Sequence, residues 1–186
     1  MCIRDRLFGD YNPAGRLPVT YYKSTDQLPD FENYDMKGRT YRYFQKKPLY
    51  PFGFGLSYTK FKYSNLKLPT NVTHEKDFEV LVDVTNIGER DGDEVIELYL
   101  KDEKASTPRP ILQLEGFERI NLKKGETKTV RFTITPRQLS LINKKGQRAI
   151  EPGWFTISVG GKQPDGSEDT QSGRFNVTGK TVLLER

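Results

Sequence analysis

Cysteine and histidine are nearly missing from this chain of 186 residues, which contains one of each. The single cysteine, Cys2, excludes an internal disulfide framework and any cysteine-based zinc site. The single histidine, His74, excludes a metal site built from several imidazoles. We therefore expect neither a bound metal nor a cofactor.

Long apolar runs are also absent. No stretch approaches the roughly 18 consecutive apolar residues of a membrane-spanning helix, and the opening MCIRDRLFGD lacks the apolar core of a signal peptide. We predict no membrane span. Because MCIRDR passes directly into a stretch typical of the middle of a domain, residues 1–6 are interpreted as a non-native leader.

A concentrated basic surface is missing as well. The 30 lysines and arginines are spread among 25 aspartates and glutamates, so the formal net charge of +5 arises without a stripe of cations. A surface that binds phosphates clusters its cations. We therefore predict that the chain binds no nucleic acid.

The chain is rich in aromatic residues and in short alternating runs. Its 11 phenylalanines and 10 tyrosines would supply much of the buried area. From about residue 61, apolar residues alternate with polar ones in about seven runs separated by polar turns, which is typical of an immunoglobulin-like β-sandwich. These runs are FKYSNLKL, FEVLVDVTN, EVIELYLKD, ILQLEGFERINL, TKTVRFTIT, GWFTISVGG and GRFNVT.

Alternation within these runs predicts which side chains face the core. In TKTVRFTIT, Val130 and Phe132 point inward. In EVIELYLKD, Leu98 lies on one side of the strand and Tyr99 on the other, together with Glu97 and Lys101. The glycine inside ILQLEGFERINL predicts a bulge or bend.

Residues 7–58 have no such periodicity, and proline, glycine, asparagine and aspartate are mixed there with aromatics. We expect this stretch to depend on surfaces that the chain lacks. Its GFGLSY has no third glycine, preceding strand or following helix, so a tight turn is favoured over a nucleotide loop. Its carboxylates are interpreted as solvated, and we nominate no catalytic residue.

The run RTYRYF is the candidate binding constellation. If it were extended, Arg39 and Tyr41 would share one face and Arg42 would lie on the other. Sugars are held by combinations of fork-shaped donors and flat rings, so Arg39, Tyr41 and Arg42 are the candidate substrate-binding residues. The favoured alternative is that they anchor the segment within a larger domain, because arginine and tyrosine serve interfaces equally well.

In their order along the chain, several segments resemble the C-terminal portion of glycoside hydrolase family 3, the beta-glucosidases and beta-xylosidases. They include LFGDYNPAGRLPVT, GRTYRYF, PLYPFGFGLSYTKF, VDVTNIGERDGDEVIELYLKD and EPGWFTISVGG. The resemblance implies a TIM-like barrel, an α/β sandwich domain and a fibronectin type III-like β-sandwich in the whole protein. Residues 7–60 would be the C-terminal remnant of the α/β domain, and residues 61–186 the β-sandwich, which gives a mainly β fold.

The resemblance also implies a function. Family members are retaining enzymes whose nucleophile is an aspartate of the barrel and whose acid/base residue is commonly a glutamate of the second domain. Both lie upstream of Leu7, and no carboxylate here matches either motif. The expected partners are the barrel and the α/β domain, and an oligosaccharide substrate of the parent, in a periplasmic or secreted location. The chain alone would then hydrolyse nothing, whereas its parent would remove terminal beta-linked glucose or xylose.

Two alternatives come from other classes of protein. A stand-alone carbohydrate-binding module would expose a row of aromatic rings, for which Tyr99 and Trp154 are the candidates, but two rings do not make a platform. An adhesion or interaction domain is also compatible with a β-sandwich. That hypothesis leaves the segment before the sandwich unexplained.

Overall fold

The structure, a computed structural model, describes residues 3–164 and 169–184. The prediction about Cys2, and part of the polar loop KQPDGSEDTQSG, lie outside these ranges. Within them, the helices are α1 (Ile3–Leu7), α2 (Thr40–Tyr43) and α3 (Pro136–Leu139), with a 3-10 turn at Thr25–Gln27. The strands are β1 (Phe61–Lys67), β2 (Asn71–Val72), β3 (Phe78–Asn86), β4 (Gly92–Asp102), β5 (Gln113–Leu122), β6 (Thr127–Ile134), β7 (Leu141–Ile142), β8 (Arg148–Ile150), β9 (Gly153–Gly160), β10 (Thr170–Val177) and β11 (Val182–Leu183).

The predicted β-sandwich is confirmed. Strands β1-β3-β6 form one sheet, and β2-β10-β9-β4-β5 form the second. Alternate residues of both sheets meet in one hydrophobic core, which includes Val82 from the first sheet and Leu98 and Phe155 from the second. A small third sheet of the described residues, β11-β8-β7, lies beside them.

The alternation of the long strands explains their burial. Val130, Phe132 and Ile134 of β6 are 3%, 8% and 1% exposed, as predicted for the inward side. The bend predicted in β5 is a bulge, because Leu98 pairs with Gly116 whereas the next residue, Tyr99, pairs with Leu114.

The short strands β2, β7, β8 and β11 and helix α3 were not predicted. Two or three residues are too few to show a period of two. Helix α3 begins with a capping box, in which the Thr135 N–H donates to the Gln138 side chain at 2.8 Å. This local hydrogen bonding forms the helix without an apolar pattern.

Residues 3–60, called here the N-terminal segment, lie against β4 and β5. The backbone N–H of Ile111 donates to Arg42 O at 2.7 Å, and that of Gln163 donates to Phe52 O at 3.0 Å. The sandwich therefore provides one surface for this segment, and its dependence on surfaces that the chain lacks stays a prediction.

The position of this segment corrects the prediction for one face of β4. Tyr99 was predicted on the side of β4 opposite Leu98 and considered as an exposed ring, yet it is fully buried. Glu97, on the same side, is 4% exposed. The ring of Tyr41 packs edge-on against Tyr99 with centroids 6.0 Å apart. The N-terminal segment thus buries the face of β4 that alternation left to solvent.

Candidate functional site

The three predicted binding residues lie on a helical turn, and the extended form considered for RTYRYF is wrong. Gly38 and Thr40 have φ values of +77° and +51°, which turn the chain into α2. The Thr40 N–H donates to the Tyr22 hydroxyl at 2.9 Å. The side chains of Arg39, Tyr41 and Arg42 consequently have three different environments.

Arg39 closes its own loop. Its Nε donates to Asp35 O at 3.1 Å, and its Nη2 donates to Asn33 O. The guanidinium therefore satisfies carbonyl groups of residues 33–35 and gives this exposed loop a defined shape.

Tyr41 and Arg42 face the sandwich. The Tyr41 hydroxyl accepts the N–H of Leu114 at 3.2 Å, and its ring packs on Phe52 with centroids 4.4 Å apart. The charge of Arg42 favours ionisation of Glu115 on β5, although burial is the larger effect and raises the pKa of Glu115. These are the contacts that an anchoring role requires. A role in binding sugar stays a prediction.

A buried ion pair joins the N-terminal segment to β4. Arg16 Nη2 donates to Glu94 Oε2, and the two side chains are 11% and 4% exposed. Arg16 Nε also donates to Gly161 O at 3.1 Å, and the Tyr63 hydroxyl donates to Glu94 Oε1 at 2.6 Å. Burial raises the pKa of Glu94, whereas Arg16 and Tyr63 oppose that rise. Each buried charge therefore has a partner, as a stable buried pair requires.

A second buried carboxyl lies nearby. The Tyr99 hydroxyl donates to Glu97 Oε2. Burial raises the pKa of Glu97 to about 7; the Tyr99 hydrogen bond and Arg16 lower it, and Glu94 adds to the rise. Gly53 covers this carboxyl so closely that a Cβ at residue 53 would collide with both oxygens of Glu97.

Sequence reasoning missed this cluster. Glu97 was predicted on the same side as Tyr99, but nothing in the pattern showed that this side would be covered. Arg16 lies 78 residues before Glu94, so no local motif links them. A carboxylate on the inward face of β4, in phase with Ile96 and Leu98, is the feature that could have drawn attention to Glu94.

An open cavity of about 480 Å³ lies beside the ion pair, lined by Arg16, Phe54, Tyr63 and Glu94 among others. The carboxylate oxygens of Glu94 that reach it already accept hydrogen bonds from Arg16 and Tyr63. Within the described residues, no group of three or more His, Cys, Asp or Glu side chains is arranged to hold a metal ion. The cluster is built to hold the junction together.

Replacing Gly53 with alanine is expected to destabilise the protein by about 2–4 kcal/mol. The change combines strain at a φ of +79° with collisions against the Glu97 carboxyl and the backbone of Lys162. Gly125 is the matched control, because it has a φ of +76° and open space around its Cβ position. Gly125→Ala should cost only about 1 kcal/mol from backbone strain. Urea unfolding of the two variants measures the difference, and equal losses would show that the contact with Glu97 is soft.

Two family models match the chain. Residues 2–58 match the glycosyl hydrolase family 3 C-terminal domain, and residues 94–163 match the fibronectin type III-like domain. The chain is 44% identical over 172 residues to a periplasmic beta-glucosidase of Salmonella typhimurium, covering 85% of this chain and 22% of that protein. It is 45% identical over 160 residues to a beta-xylosidase of Formosa agariphila, covering 83% of this chain and 22% of that protein.

Solved structures show the same relationship. A beta-glucosidase from Listeria innocua, determined in complex with glucose, is similar with a TM-score of 0.80 and 32% identity. The match covers 96% of this chain and 26% of that one. The chain therefore spans about a fifth to a quarter of the length of these proteins.

Proposed function

Because the chain belongs to glycosyl hydrolase family 3, with that family's C-terminal domain followed by a fibronectin type III-like domain, we propose that it is the C-terminal part of a retaining beta-glycosidase. The parent would remove terminal beta-linked glucose or xylose in carbohydrate catabolism. The observation that carries this proposal is the pair of adjacent domain matches, together with 44–45% identity to a beta-glucosidase and a beta-xylosidase.

We propose that the catalytic residues belong to other domains of the parent. A retaining glycosidase needs two carboxyl groups on either side of a bound sugar. Among the described residues, Glu94 and Glu97 are two buried acids of β4, but Glu94 is engaged by Arg16 and Tyr63, and Glu97 is covered by Gly53. Neither group has access to a sugar ring, so the sandwich has a structural or accessory role.

The surface of the N-terminal segment supports the proposed docking to the barrel and the α/β domain. Leu7, Phe8 and Leu56 are 71–78% exposed. Leu7 and Leu56 line an apolar groove of about 630 Å³. Large exposed apolar areas mark interaction sites. In the parent, we propose that the preceding domains cover this groove.

The division into residues 7–60 and 61–186 remains our proposal for the domain boundary. Among the described residues, no helix is long and apolar enough to cross a membrane. One relative is named a periplasmic enzyme, and a periplasmic or secreted location of the parent is proposed on that basis.

The alternative of a stand-alone carbohydrate-binding module has lost one of its two candidate rings, because Tyr99 is buried. Trp154 is 44% exposed, but the Arg174 guanidinium covers its ring at 4.7 Å from the centroid. The interaction-domain hypothesis left the preceding segment unexplained, and that segment matches the family's C-terminal domain. Neither alternative is favoured.

We expect the 186-residue chain to release no nitrophenol from nitrophenyl beta-glucoside or beta-xyloside. The same chain joined to the upstream region of its gene should hydrolyse at least one of them. The matched control is Glu97→Gln in both forms, which should leave these results unchanged. If the chain alone turned over a substrate after repurification, and Glu97→Gln abolished this activity, the result would instead indicate that the buried acids are catalytic.

A further inference from the structure

We propose that the Glu97 carboxyl, buried beneath Gly53, forms a pH-dependent latch, which holds the N-terminal segment on the sandwich while Glu97 is protonated and loosens the segment when Glu97 ionises. The latch lies within this chain and does not depend on the proposed glycosidase activity.

The surroundings of the Glu97 side chain disfavour its ionised form. Its side chain is on the face of β4 that the N-terminal segment covers, and the residue is 4% exposed. Tyr99 donates one hydrogen bond to it, and the backbone of Gly53 lies against both of its oxygens. A protonated carboxyl fits this environment, because burying an uncompensated carboxylate is costly.

Two charges act on Glu97: Arg16 favours its ionisation, and Glu94 opposes it. The titratable groups around it are Glu94 and Tyr99 from β4, Tyr63 from β1, and Arg16 and Tyr41 from the N-terminal segment, and the Cα of Lys162, after β9, lies beside Gly53. Arg16 is already bound to Glu94 and to Gly161 O. If Glu97 also ionised, the two carboxylates of Glu97 and Glu94 would have to share the single guanidinium of Arg16. Moving residues 50–55 away from β4 would let water reach Glu97 and remove this cost.

The direction of the pH effect follows from proton linkage. The pKa of Glu97 is raised to about 7 while the segment is docked, and a solvated glutamate titrates near about 4.3. Between these values the docked form binds more protons than the released form. Docking is therefore strongest below about pH 4.5 and weakens as the pH rises towards 7. The pKa of Glu94 is raised as well, so it acts in the same direction.

Amide hydrogen exchange tests the latch in the full 186-residue chain. The Gly53 N–H donates to Leu17 O, and the Leu17 N–H donates to Phe54 O, both at 2.9 Å. Both hydrogen bonds lie within the N-terminal segment and hold residues 53 and 54 in place over Glu97, so these amides report opening of the segment at the latch. Val82 in β3 reports the sandwich core. After correction for intrinsic exchange rates, we expect the opening constant at Gly53 and Leu17 to rise about thirtyfold from pH 5.5 to 8. The opening constant at Val82 should not show this rise.

Glu97→Gln keeps the shape and removes the titration, so protection of Gly53 should become independent of pH. Glu118→Gln, at an exposed carboxylate on β5, is the matched control and should retain the wild-type pH dependence. A carbon-13 titration of the wild-type side chain gives a second measurement that needs no variant, with an expected midpoint near 7 for Glu97. Unchanged wild-type exchange, pH dependence that persists in Glu97→Gln, or a Glu97 midpoint near about 4.3 would each overturn the proposal.

Discussion

Replacing Arg16 with methionine is expected to remove about 3–5 kcal/mol from the free energy that holds the N-terminal segment on the sandwich. The arginine and Glu94 are both buried, with side chains 11% and 4% exposed. Methionine fills similar space but leaves the carboxylate without its cation. Because release of the segment lets water reach Glu94, the loss falls on the docked segment, and the sandwich core keeps its stability.

Hydrogen exchange at Leu17 and Gly53, compared with that at Val82, measures this selective release. Arg131→Met is the matched control, because Arg131 pairs with Glu79 at 2.7 Å while the two side chains are 63% and 50% exposed. An exposed pair contributes only about 0–1 kcal/mol. Similar losses in the two variants would contradict the assignment of the Arg16–Glu94 pair as the main polar attachment.

The effect of Arg16→Met should also depend on pH. Burial has the largest effect on the pKa of Glu94 and raises it, and Arg16 is the main group that opposes this rise. Without the arginine, that pKa rises further, and a neutral Glu94 tolerates burial at acid pH. The destabilisation should therefore be larger at pH 8 than at pH 4.

The long strands could be predicted because each has one face in the core and one that is less buried. The run FEVLVDVTN coincides with β3, Phe78–Asn86, and its valines are fully buried. A period of two reports this arrangement directly. The prediction failed for Tyr99, where the second face is also covered, because alternation cannot distinguish solvent from a covering segment that lacks a period of its own.

The N-terminal segment could not be predicted in the same way. Its docking depends on separate contacts between residues far apart in sequence, such as Tyr41 with Leu114 and Arg16 with Glu94. Tyrosine and threonine favour strands, yet Thr40–Tyr43 is helical. Its left-handed start at Thr40, with a hydrogen bond to Tyr22, decides the conformation. Such tertiary contacts override local propensity.

The contacts of the candidate binding residues could not be predicted from the sequence for the same reason. Their residue types suggested an interface or a sugar site, but the sequence could not show that Arg39 would bind its own loop while Tyr41 contacts Tyr99. The family was recognised from long ordered segments, and this resemblance is confirmed by the domain matches at residues 2–58 and 94–163.

Replacing Phe175 with alanine is expected to destabilise the whole protein by about 3–5 kcal/mol. Phe175 in β10 is fully buried, and its ring lies 5.0 Å from that of Phe78 and 5.5 Å from that of Phe155. The contact with Phe78 joins the two sheets, and Phe155 is the cross-strand neighbour of Phe175 in the same sheet, so the substitution leaves a cavity in the core between the sheets. A domain stable by about 5–15 kcal/mol loses a large part of its stability in this way.

Phe117→Ala provides the matched control, because Phe117 is 71% exposed and its removal should change stability by no more than about 0.5 kcal/mol. Urea unfolding measures both variants, and a loss below about 1.5 kcal/mol for Phe175→Ala would mean that the core collapses to fill the cavity.

Hydrogen exchange distinguishes loss of the whole fold from release of the N-terminal segment alone. Phe175→Ala should reduce protection at both Val82 and Gly53, since the N-terminal segment needs the folded sheet, whereas Arg16→Met should reduce it at Gly53 alone. This difference would establish that the segment depends on the sandwich and that the sandwich folds without the segment.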